Sequence, residues 1–329
     1  MLTLRYFFRR SINALLTYVA ALILVFFIPR IIPGSPEELL ASSYRLPAEA
    51  ATALRVRFGL DRPLFEQFML YIKNVVFTFP PDFGISYSYY PAPVWNIVVS
   101  ALPWTLFLLT LSTILTAILG TSLGILAAWK HGTKLETIIS TIALFLLSTP
   151  HFWIAIIFIM IFGVYIPIFP IAGAYSSHMA SKQFFSLEFI TDVLWHAALP
   201  ILSLVSSNFA VYTIVMRDNM ISTMGEDYIT LAEAKGLKPL QVVFKHAARN
   251  ALLPVLTMLF LNLGTMVGGA IVIEAVFSYP GVGLLLFNAI LSLDYPLIHG
   301  FFYIVTISVI VANYIADIFY ALIDPRVRY

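Results

Sequence analysis

Charged side chains in the second half of the chain are concentrated in one stretch, from Gly225 to Pro254. The stretch opens on Glu226 and Asp227, and its later part is basic. Acidic residues are favoured in the first turn of a helix, so this order predicts a helix that begins near Glu226. Long uncharged segments lie on both sides of the stretch. Its charges must therefore lie in water, where they suit recognition of another molecule rather than bond making.

The chain lacks the residue patterns of an enzyme site. It has no cysteine, which removes thiol nucleophiles and thiolate metal ligands. Its histidines are scattered, no H-E-x-x-H run exists, and no Ser/His/Asp set is recognisable. No G-x-x-x-x-G-K-[ST] phosphate loop occurs, so we expect no nucleotide to be bound by such a loop in this chain. We expect no catalytic residue, no metal site and no cofactor of its own.

The amino-acid composition indicates whether this chain lies in water or in a lipid bilayer. Of 329 residues, 60% are hydrophobic and 11% are charged, with a mean hydropathy of +0.91. Soluble domains carry about 25% charged residues, so the composition predicts a membrane protein. The formal charge of +2 comes without a dense basic patch, which argues against nucleic acid as a partner.

Apolar segments of spanning length divide the chain. A membrane-spanning helix needs about 20 apolar residues. We expect an all-α membrane protein with six transmembrane helices, near residues 10–30, 98–128, 136–163, 194–218, 250–275 and 299–322. The stretch 276–298 is apolar but broken by Pro280, Gly281 and Pro296, so we expect a re-entrant or surface segment.

Lys and Arg in short loops predict orientation, because they are enriched on the cytoplasmic side. With six spans, twelve basic residues share one side: Arg5, Arg9, Arg10, Lys130, Lys134, Arg217, Lys235, Lys238, Lys245, Arg249, Arg326 and Arg328. Both termini are then cytoplasmic. The first apolar run is long for a signal peptide and no small-residue cleavage site follows, so we expect an uncleaved first span.

Three parts follow from this topology. Residues 1–32 form the N-terminal tail and first span, and 33–96 form an extracytoplasmic cap with short helices near 47–58 and 63–79. Residues 97–329 form a five-span core with a cytoplasmic loop at 219–249. The cap either covers an outer mouth and receives a partner or serves only to pack the bundle.

The charged loop itself predicts a helix–glycine–helix turn, here named the elbow (residues 226–248). Gly236 suits the position just after a helix, and Pro239 suits the first turn of the next one. We expect Val242, Val243 and Phe244 to pack, and the basic side chains after them to point toward water or headgroups. An amphipathic helix lying on the membrane surface is the alternative.

Polar residues inside the predicted spans are candidates for a translocation path or gate. They are Ser207, Asn208 and Tyr212 on span four, Asn262 and Thr265 on span five, and Glu274 near a span end. Such residues equally suit close helix packing in lipid. Glu274 is expected near an interface, with a structural or gating use favoured over ligand contact. Pro150 predicts a kink in span three.

Sequence motifs in a fixed order then carry a family resemblance. They are Arg30–Pro36, Phe58–Leu64, Asp82–Ser86, Ala232–Gly236 followed by His246, Arg249–Ala251 and Leu253-Pro254, then Glu274–Gly283, Asp294–Pro296 and Asp324–Tyr329. Together they resemble the membrane subunit of a binding-protein-dependent ABC importer. Thr230 and the late Pro254 depart from the general importer pattern and resemble its dipeptide/oligopeptide branch.

The resemblance implies the type I ABC importer permease fold, in which a short helix of the elbow docks into a cleft of an ATPase. The implied coupling residues are Tyr228, Thr230, Leu231, Ala232, Glu233, Ala234, Lys235, Gly236, His246 and Arg249. The implied partners are a second homologous permease, two cytoplasmic ABC ATPase subunits that bind ATP and Mg, an extracytoplasmic solute-binding protein and membrane lipid.

The resemblance also implies a transport subunit of the cell membrane that forms half of a pathway for oligopeptides or solutes of similar size. Oligosaccharides carried by the same machinery are an alternative cargo. A secondary transporter or channel without an ATPase is the alternative of a different class. Such proteins typically show internal repeats, and the two halves of this sequence show no clear one.

Overall fold

The computed structural model describes residues 4–31, 35–43, 48–57, 59–179, 186–265 and 270–323. Within these ranges the regular secondary structure is helical, with one isolated bridge between Ile85 and Pro93. The predicted all-α class is confirmed. Residues 32–34, 58, 266–269 and 324–329, which include parts of the quoted motifs, lie outside the described residues.

Fourteen α-helices follow one another in the described ranges, with shorter helical turns between them. They are α1 (Leu4–Ile31), α2 (Pro36–Ser43), α3 (Ala48–Arg57), α4 (Leu64–Val76), α5 (Val94–Trp129), α6 (Lys134–Ser148), α7 (His151–Phe158), α8 (Leu187–Met224), α9 (Asp227–Ala234), α10 (Pro239–Gln241), α11 (Ala248–Thr265), α12 (Ile271–Val276), α13 (Val282–Leu291) and α14 (Tyr295–Ile323). π-helical turns cover Ile159–Tyr165 and Val242–Ala247, and a 3₁₀ turn covers Ser177–Met179.

Three described helices are long and apolar enough to cross a membrane. They are Arg10–Ile28 within α1, all of α5 and all of α8. A fourth candidate is the pair Lys134–Ser148 and His151–Tyr165, which is bent by 99°. The apolar helices Val282–Leu291 and Tyr295–Val311 fall short of the same length. Several described helices can therefore span a membrane, and the total of six spans stays a prediction.

Pro150 causes the bend between α6 and α7. Proline disfavours helical backbone at the residue before it, and Thr149 is extended, with ψ of 127°. Pro150 then stands at the N-cap of α7 with ψ of 136°. The predicted kink is confirmed, and it is a complete break between two helices rather than a gentle bend.

Packing divides the chain into two compact units. The first holds the described residues up to Thr105, those from Pro280 onward and a short piece at Ile271. In it α1 packs on α14 and on α4, and the core includes Phe26, Val75 and Leu297. The second holds Leu106 to Thr265 and Val272–Tyr279 as described. There α8 is the central helix, against which α6, α7 and α11 pack.

The stretch predicted to be re-entrant, 276–298, contains α13 and the start of α14. With ten residues, α13 is about 15 Å long, which is half the hydrocarbon thickness of a bilayer. One of its faces is buried, through Val282, Leu286 and Ala289. A helix this short cannot cross the membrane by itself.

Asp294 fastens the end of this stretch to the cap. Its carboxylate is fully buried. Oδ2 accepts hydrogen bonds from Ser86 Oγ at 2.5 Å and from the Ser88 N–H at 3.0 Å, while Oδ1 accepts from the Leu297 N–H at 3.2 Å. The last bond caps the first turn of α14. The Asp-Tyr-Pro motif thus starts a helix and holds the 86–88 loop with one side chain.

Candidate functional site

The elbow begins where α8 ends and folds as the sequence predicts. Gly225 closes α8, and α9 runs from Asp227 to Ala234. Gly236 has φ of +76°, the left-handed conformation that glycine adopts readily, and its N–H bonds to the Glu233 carbonyl at 2.8 Å. Pro239 occupies the first helical position of α10. The predicted helix–glycine–helix turn is confirmed.

One face of α9 is buried against neighbouring helices of the second unit. Ile229 is 1% exposed and Ala232 is 5% exposed. Both belong to a hydrophobic cluster with Met216 and Met220 of α8 and with residues at the start of α11. Ala232 was expected to contact a partner protein, but its methyl group lies within this cluster. The small side chain therefore lets α9 approach α8 closely.

The opposite face of α9 is open. Tyr228, Thr230, Leu231, Glu233, Ala234, Lys235 and Gly236 are exposed. Leu231 is 55% exposed, and two more apolar side chains of the elbow, Leu240 and Phe244, are 54% and 56% exposed. Apolar side chains exposed beside charged ones are typical of a protein interaction site.

Phe244 is exposed, contrary to the expectation that it would pack with Val242 and Val243. Those two valines are buried, but Phe244 is not. The reason is the π-helical turn at Val242–Ala247, whose wider winding places residues five apart on the same face. Ala247 and Ala248 accordingly share the buried face with the valines. Within the same segment His246 is half-buried, while Lys245 and Arg249 are exposed.

A side-chain hydrogen bond ties the elbow to α11. The Asn250 amide donates from Nδ2 to Tyr228 Oη at 2.8 Å. Tyr228 was expected to act in coupling, whereas Asn250 was noted only as part of a motif. The bond joins the first turn of α9 to the first turn of α11.

Glu136 is a functional candidate that sequence reasoning missed. It stands in the first turn of α6 and accepts a hydrogen bond from Arg217 Nε on α8 at 2.7 Å. Arg217 Nη2 also donates to it. The Gly132 N–H donates to Oε2 at 2.6 Å, and His131 Nδ1 lies 3.0 Å from Oε1. The signal in the sequence was an acid at the edge of an uncharged run, but its partner is 81 residues away.

Glycine contacts hold α8 to α5. A Cβ atom added to Gly120 would lie 2.5 Å from the Phe209 carbonyl oxygen and from Tyr212 Cβ. One added to Gly124 would lie 2.6 Å from Met216 Cβ. The spacing of four residues is the G-x-x-x-G pattern that brings membrane helices into close backbone contact. The spacing of Gly120 and Gly124 in the sequence is the signal for this contact.

The candidate path residues on α8 are satisfied within their own helix. Ser207 Oγ donates to the Ser203 carbonyl at 2.7 Å, and Asn208 Nδ2 donates to the Leu204 carbonyl at 2.8 Å. Such bonds to the carbonyl four residues earlier let polar side chains lie in an apolar helix. Ser207 is 1% exposed. In this conformation both side chains donate hydrogen bonds to the backbone of α8.

The other candidates differ in their surroundings. Asn262 Nδ2 donates to Tyr212 Oη at 2.9 Å, which links α11 to α8. Glu274 on α12 is fully buried by its neighbours, and its place near a membrane interface stays a prediction. Thr265 is the last residue of α11, and its side chain lies outside the described residues. The structure joins Tyr212 and Asn262 in one contact but does not join them to Ser207.

Comparison with known proteins gives the family. A family model described as binding-protein-dependent transport system inner membrane component matches residues 120–329. A second, for the N-terminal part of such membrane components, matches residues 3–109.

Curated relatives match over nearly their whole length. The oligopeptide transport system permease protein AppB of Bacillus subtilis is 34% identical over 325 residues, which cover 98% of this chain and 99% of that protein. The di/tripeptide transport system permease protein DppB of Pseudomonas aeruginosa is 33% identical, with 98% of each chain covered. The dipeptide transport system permease protein DppB of Escherichia coli K12 is 32% identical, with 99% of each covered. The chain belongs to the family of inner membrane components of binding-protein-dependent transport systems.

Proposed function

We propose that this chain is a permease subunit of an ATP-driven peptide importer and that its elbow receives the motion of an ATPase. The observation that carries the proposal is the two-sided construction of α9. One face, through Ile229 and Ala232, is built into the core of the second unit, while the other presents Leu231 among exposed polar groups. A helix with one anchored face and one open face can be pushed by a partner and move its neighbours.

ATP and Mg would be bound by partner subunits, a proposal that the lack of a phosphate loop in the sequence supports. Two ABC ATPases would close on ATP, and their movement would pass through α9 to α8 by the Ile229 and Ala232 contacts. It would reach α11 by the bond between Tyr228 and Asn250. Because packed interfaces shift between discrete arrangements, a small displacement at the elbow suffices to reorient these helices.

The remaining partners follow from the same proposal. A second, homologous permease would complete the pathway, and an extracytoplasmic solute-binding protein would deliver cargo to the cap. Both termini would be cytoplasmic, on the side of the elbow. Tyr212 and Asn262 are the best-supported path or gate residues, because their bond joins two helices that the elbow would move.

Peptides are the proposed cargo because the curated relatives are named as oligopeptide, dipeptide and di/tripeptide permeases. The binding protein would do most of the selecting. Uptake assays should therefore present short peptides and oligosaccharides in parallel, with the cognate binding protein present. Uptake of oligosaccharides alone would change the cargo but leave the mechanism of coupling in place.

The experiment that tests the proposal is uptake by the assembled importer in proteoliposomes, with ATPase activity measured in parallel. Leu231→Gln should lower peptide uptake and stimulated ATP hydrolysis by about fivefold, the effect of losing roughly 1 kcal/mol at an interface. Leu187→Gln is the matched control, since Leu187 is 79% exposed at the other end of α8. Wild-type uptake in Leu231→Gln, or ATP hydrolysis by the isolated chain, contradicts the proposal.

A further inference from the structure

A second candidate site lies in the first unit, away from the elbow. The cap, the end of α1 and the start of α14 line an open pocket of about 430 Å³. This volume falls within the range of pockets that bind small molecules. Its lining includes Arg30, Gln67, Tyr71, Tyr87 and Tyr295. We name it the cap pocket.

Arg30 brings a positive charge to this pocket that no carboxylate in the described residues neutralises. Nη1 donates to the Phe26 carbonyl at 2.6 Å and lies 3.4 Å from His299 Nε2. Nη2 donates to Gln67 Oε1 at 3.1 Å. The guanidinium carbon lies 3.7 Å above the Phe26 ring. All these partners are neutral acceptors or rings, and they leave the Nε–H and one Nη2–H without a described partner.

A half-buried guanidinium without a counter-ion is costly, because a charge removed from water needs an opposite charge or several hydrogen bonds. Arginine also recognises carboxylates through two parallel N–H donors. The fixed position of Arg30, held by Phe26 and Gln67, means that little freedom would be lost on binding an anion. These features favour an anionic ligand over a neutral one.

Tyr71 supplies an independent observation. The residue is 9% exposed, and its hydroxyl is buried with no hydrogen-bond partner among the described residues. It lines the same pocket as Arg30. Burial raises the pKa of the Tyr71 phenol, so the hydroxyl keeps its proton and remains a donor. A buried donor without a partner beside a cation without a counter-anion is the arrangement that an oxyanion would satisfy.

The rest of the lining agrees with a small organic anion. Arg57 and Arg62 add two guanidinium groups, against one carboxylate, that of Asp82. Asp82 Oδ1 already accepts from the Gly84 N–H at 2.8 Å. Phe83 and the tyrosines offer aromatic surface beside the charges. A short peptide has a terminal carboxylate for Arg30 and an apolar side chain for the rings.

We propose that the cap pocket binds the C-terminal carboxylate of a short peptide, through Arg30 and the Tyr71 hydroxyl. The inference rests on the proposed function for the choice of a peptide, while the anion itself is argued from the pocket. Gln67 acts as a positioning residue, because it holds the guanidinium from the side. The site would give the permease its own contact with cargo at the cap, separate from selection by the binding protein.

Calorimetric titration of the assembled importer tests this proposal, in phosphatidylcholine nanodiscs without the binding protein. The probes are Ala-Ala-Phe and its C-terminal amide. We expect the amide to bind the wild-type complex at least about tenfold more weakly than the acid does. We expect the acid to bind Arg30→Gln more weakly than wild type by the same factor, since a hydrogen bond to a charged group contributes roughly 1.5–3 kcal/mol. Lys73→Gln is the matched control: it removes one exposed positive charge from α4 and should leave affinity unchanged.

If Arg30→Gln folds poorly, Tyr71→Phe provides a second test of the same proposal. It removes a hydroxyl that has no described partner, so it should not lower thermal stability, yet it should weaken binding of the acid by about fivefold. Equal binding of acid and amide overturns the proposal, as does an equal loss in Lys73→Gln. Competition by phosphatidylglycerol that depends on Arg30 also overturns it, in favour of a lipid phosphate.

Uptake by the same complexes separates this inference from the proposed function. Peptide uptake without Arg30-dependent binding removes the cap pocket as a peptide site and leaves the importer in place. The complex could instead bind peptide through Arg30 but transport none. That result would contradict the proposed function and would support the cap pocket as a peptide site.

Discussion

Two buried acids, one in each unit, are satisfied in different ways. Asp294 in the first unit receives its hydrogen bonds from a serine hydroxyl and two backbone N–H groups. Glu136 in the second unit receives its own from a backbone N–H, a histidine and the guanidinium of Arg217. The first set of donors is neutral and belongs to the loop and helix turn that the acid organises. The second set includes a charged side chain from another helix.

The difference indicates different uses. If the Asp294 carboxylate is removed, buried donors lose their hydrogen-bond acceptor. These hydrogen bonds therefore suit a region of the protein that keeps one conformation. An ion pair between helices can separate at lower cost, because the Arg217 side chain is 27% exposed and already donates through Nη1 to Asp218 at 2.6 Å. We infer that Asp294 preserves the fold, whereas the pair of Glu136 and Arg217 joins α6 to α8 by a contact that is easier to break.

The largest expected effect is that of Asp294→Ala. Three hydrogen bonds to a buried carboxylate are lost together, so the free energy of unfolding should fall by about 3 kcal/mol or more. Thermal unfolding of the purified chain measures it. Asp294→Asn should be milder, because the amide keeps one acceptor oxygen, and Asp61→Ala, at an exposed turn, is the control. An unchanged midpoint in Asp294→Ala would remove the distinction between the two acids.

The second prediction concerns the ion pair. Arg217→Ala and Glu136→Gln should each lower peptide uptake per ATP hydrolysed, with a smaller loss of thermal stability than in Asp294→Ala. The exchange of charges, Glu136→Arg with Arg217→Glu, should recover part of the coupling, and the double-mutant cycle gives the interaction energy. Lys134→Ala serves as the control, since that exposed side chain lies in the same first turn of α6 as Glu136. Purely additive effects would contradict an ion pair that acts in coupling.

The smallest effect is expected at the elbow turn. Gly236→Ala should cost about 1 kcal/mol of stability, because φ of +76° is strained for a residue with a Cβ. The added Cβ would meet nothing within 4 Å, so backbone strain is the only cause. Gly225→Ala is the matched control: Gly225 has φ of −83°, which alanine adopts freely. Equal loss of stability in the two variants would show that the left-handed conformation of Gly236 does not limit the residue at this turn.

The sequence predicted those features of the elbow that depend on local chemistry. Gly236 and Pro239 have conformational preferences that act within a few residues, and both stand where those preferences place them. Phe244 was misplaced because a π-helical turn is not visible in hydrophobic spacing, and it shifts the buried face by one residue. Likewise, the resemblance implies a coupling role for Ala232, but a small side chain fits both a partner surface and the close helix contact that is observed.

Long-range contacts were beyond sequence reasoning for a different reason. Glu136 and Arg217 pair across 81 residues, and Arg30 meets His299 across 269. Their meeting depends on how whole helices pack, which no local pattern encodes. The family motifs at Arg30 and Asp294 could be recognised as strings, but the hydrogen bonds that explain them became visible only in the folded chain.

The break at Pro150 has a consequence for biogenesis. The two helical pieces on either side of it, Lys134–Ser148 and His151–Tyr165, each extend about 22 Å, which is less than the roughly 30 Å of hydrocarbon that a straight span must cross. Both α6 and α7 pack against α8, which follows them in the chain. During synthesis, α6 and α7 reach the bilayer before α8 has been made. Their final depth in the membrane is therefore settled by later packing rather than by their own hydrophobic length.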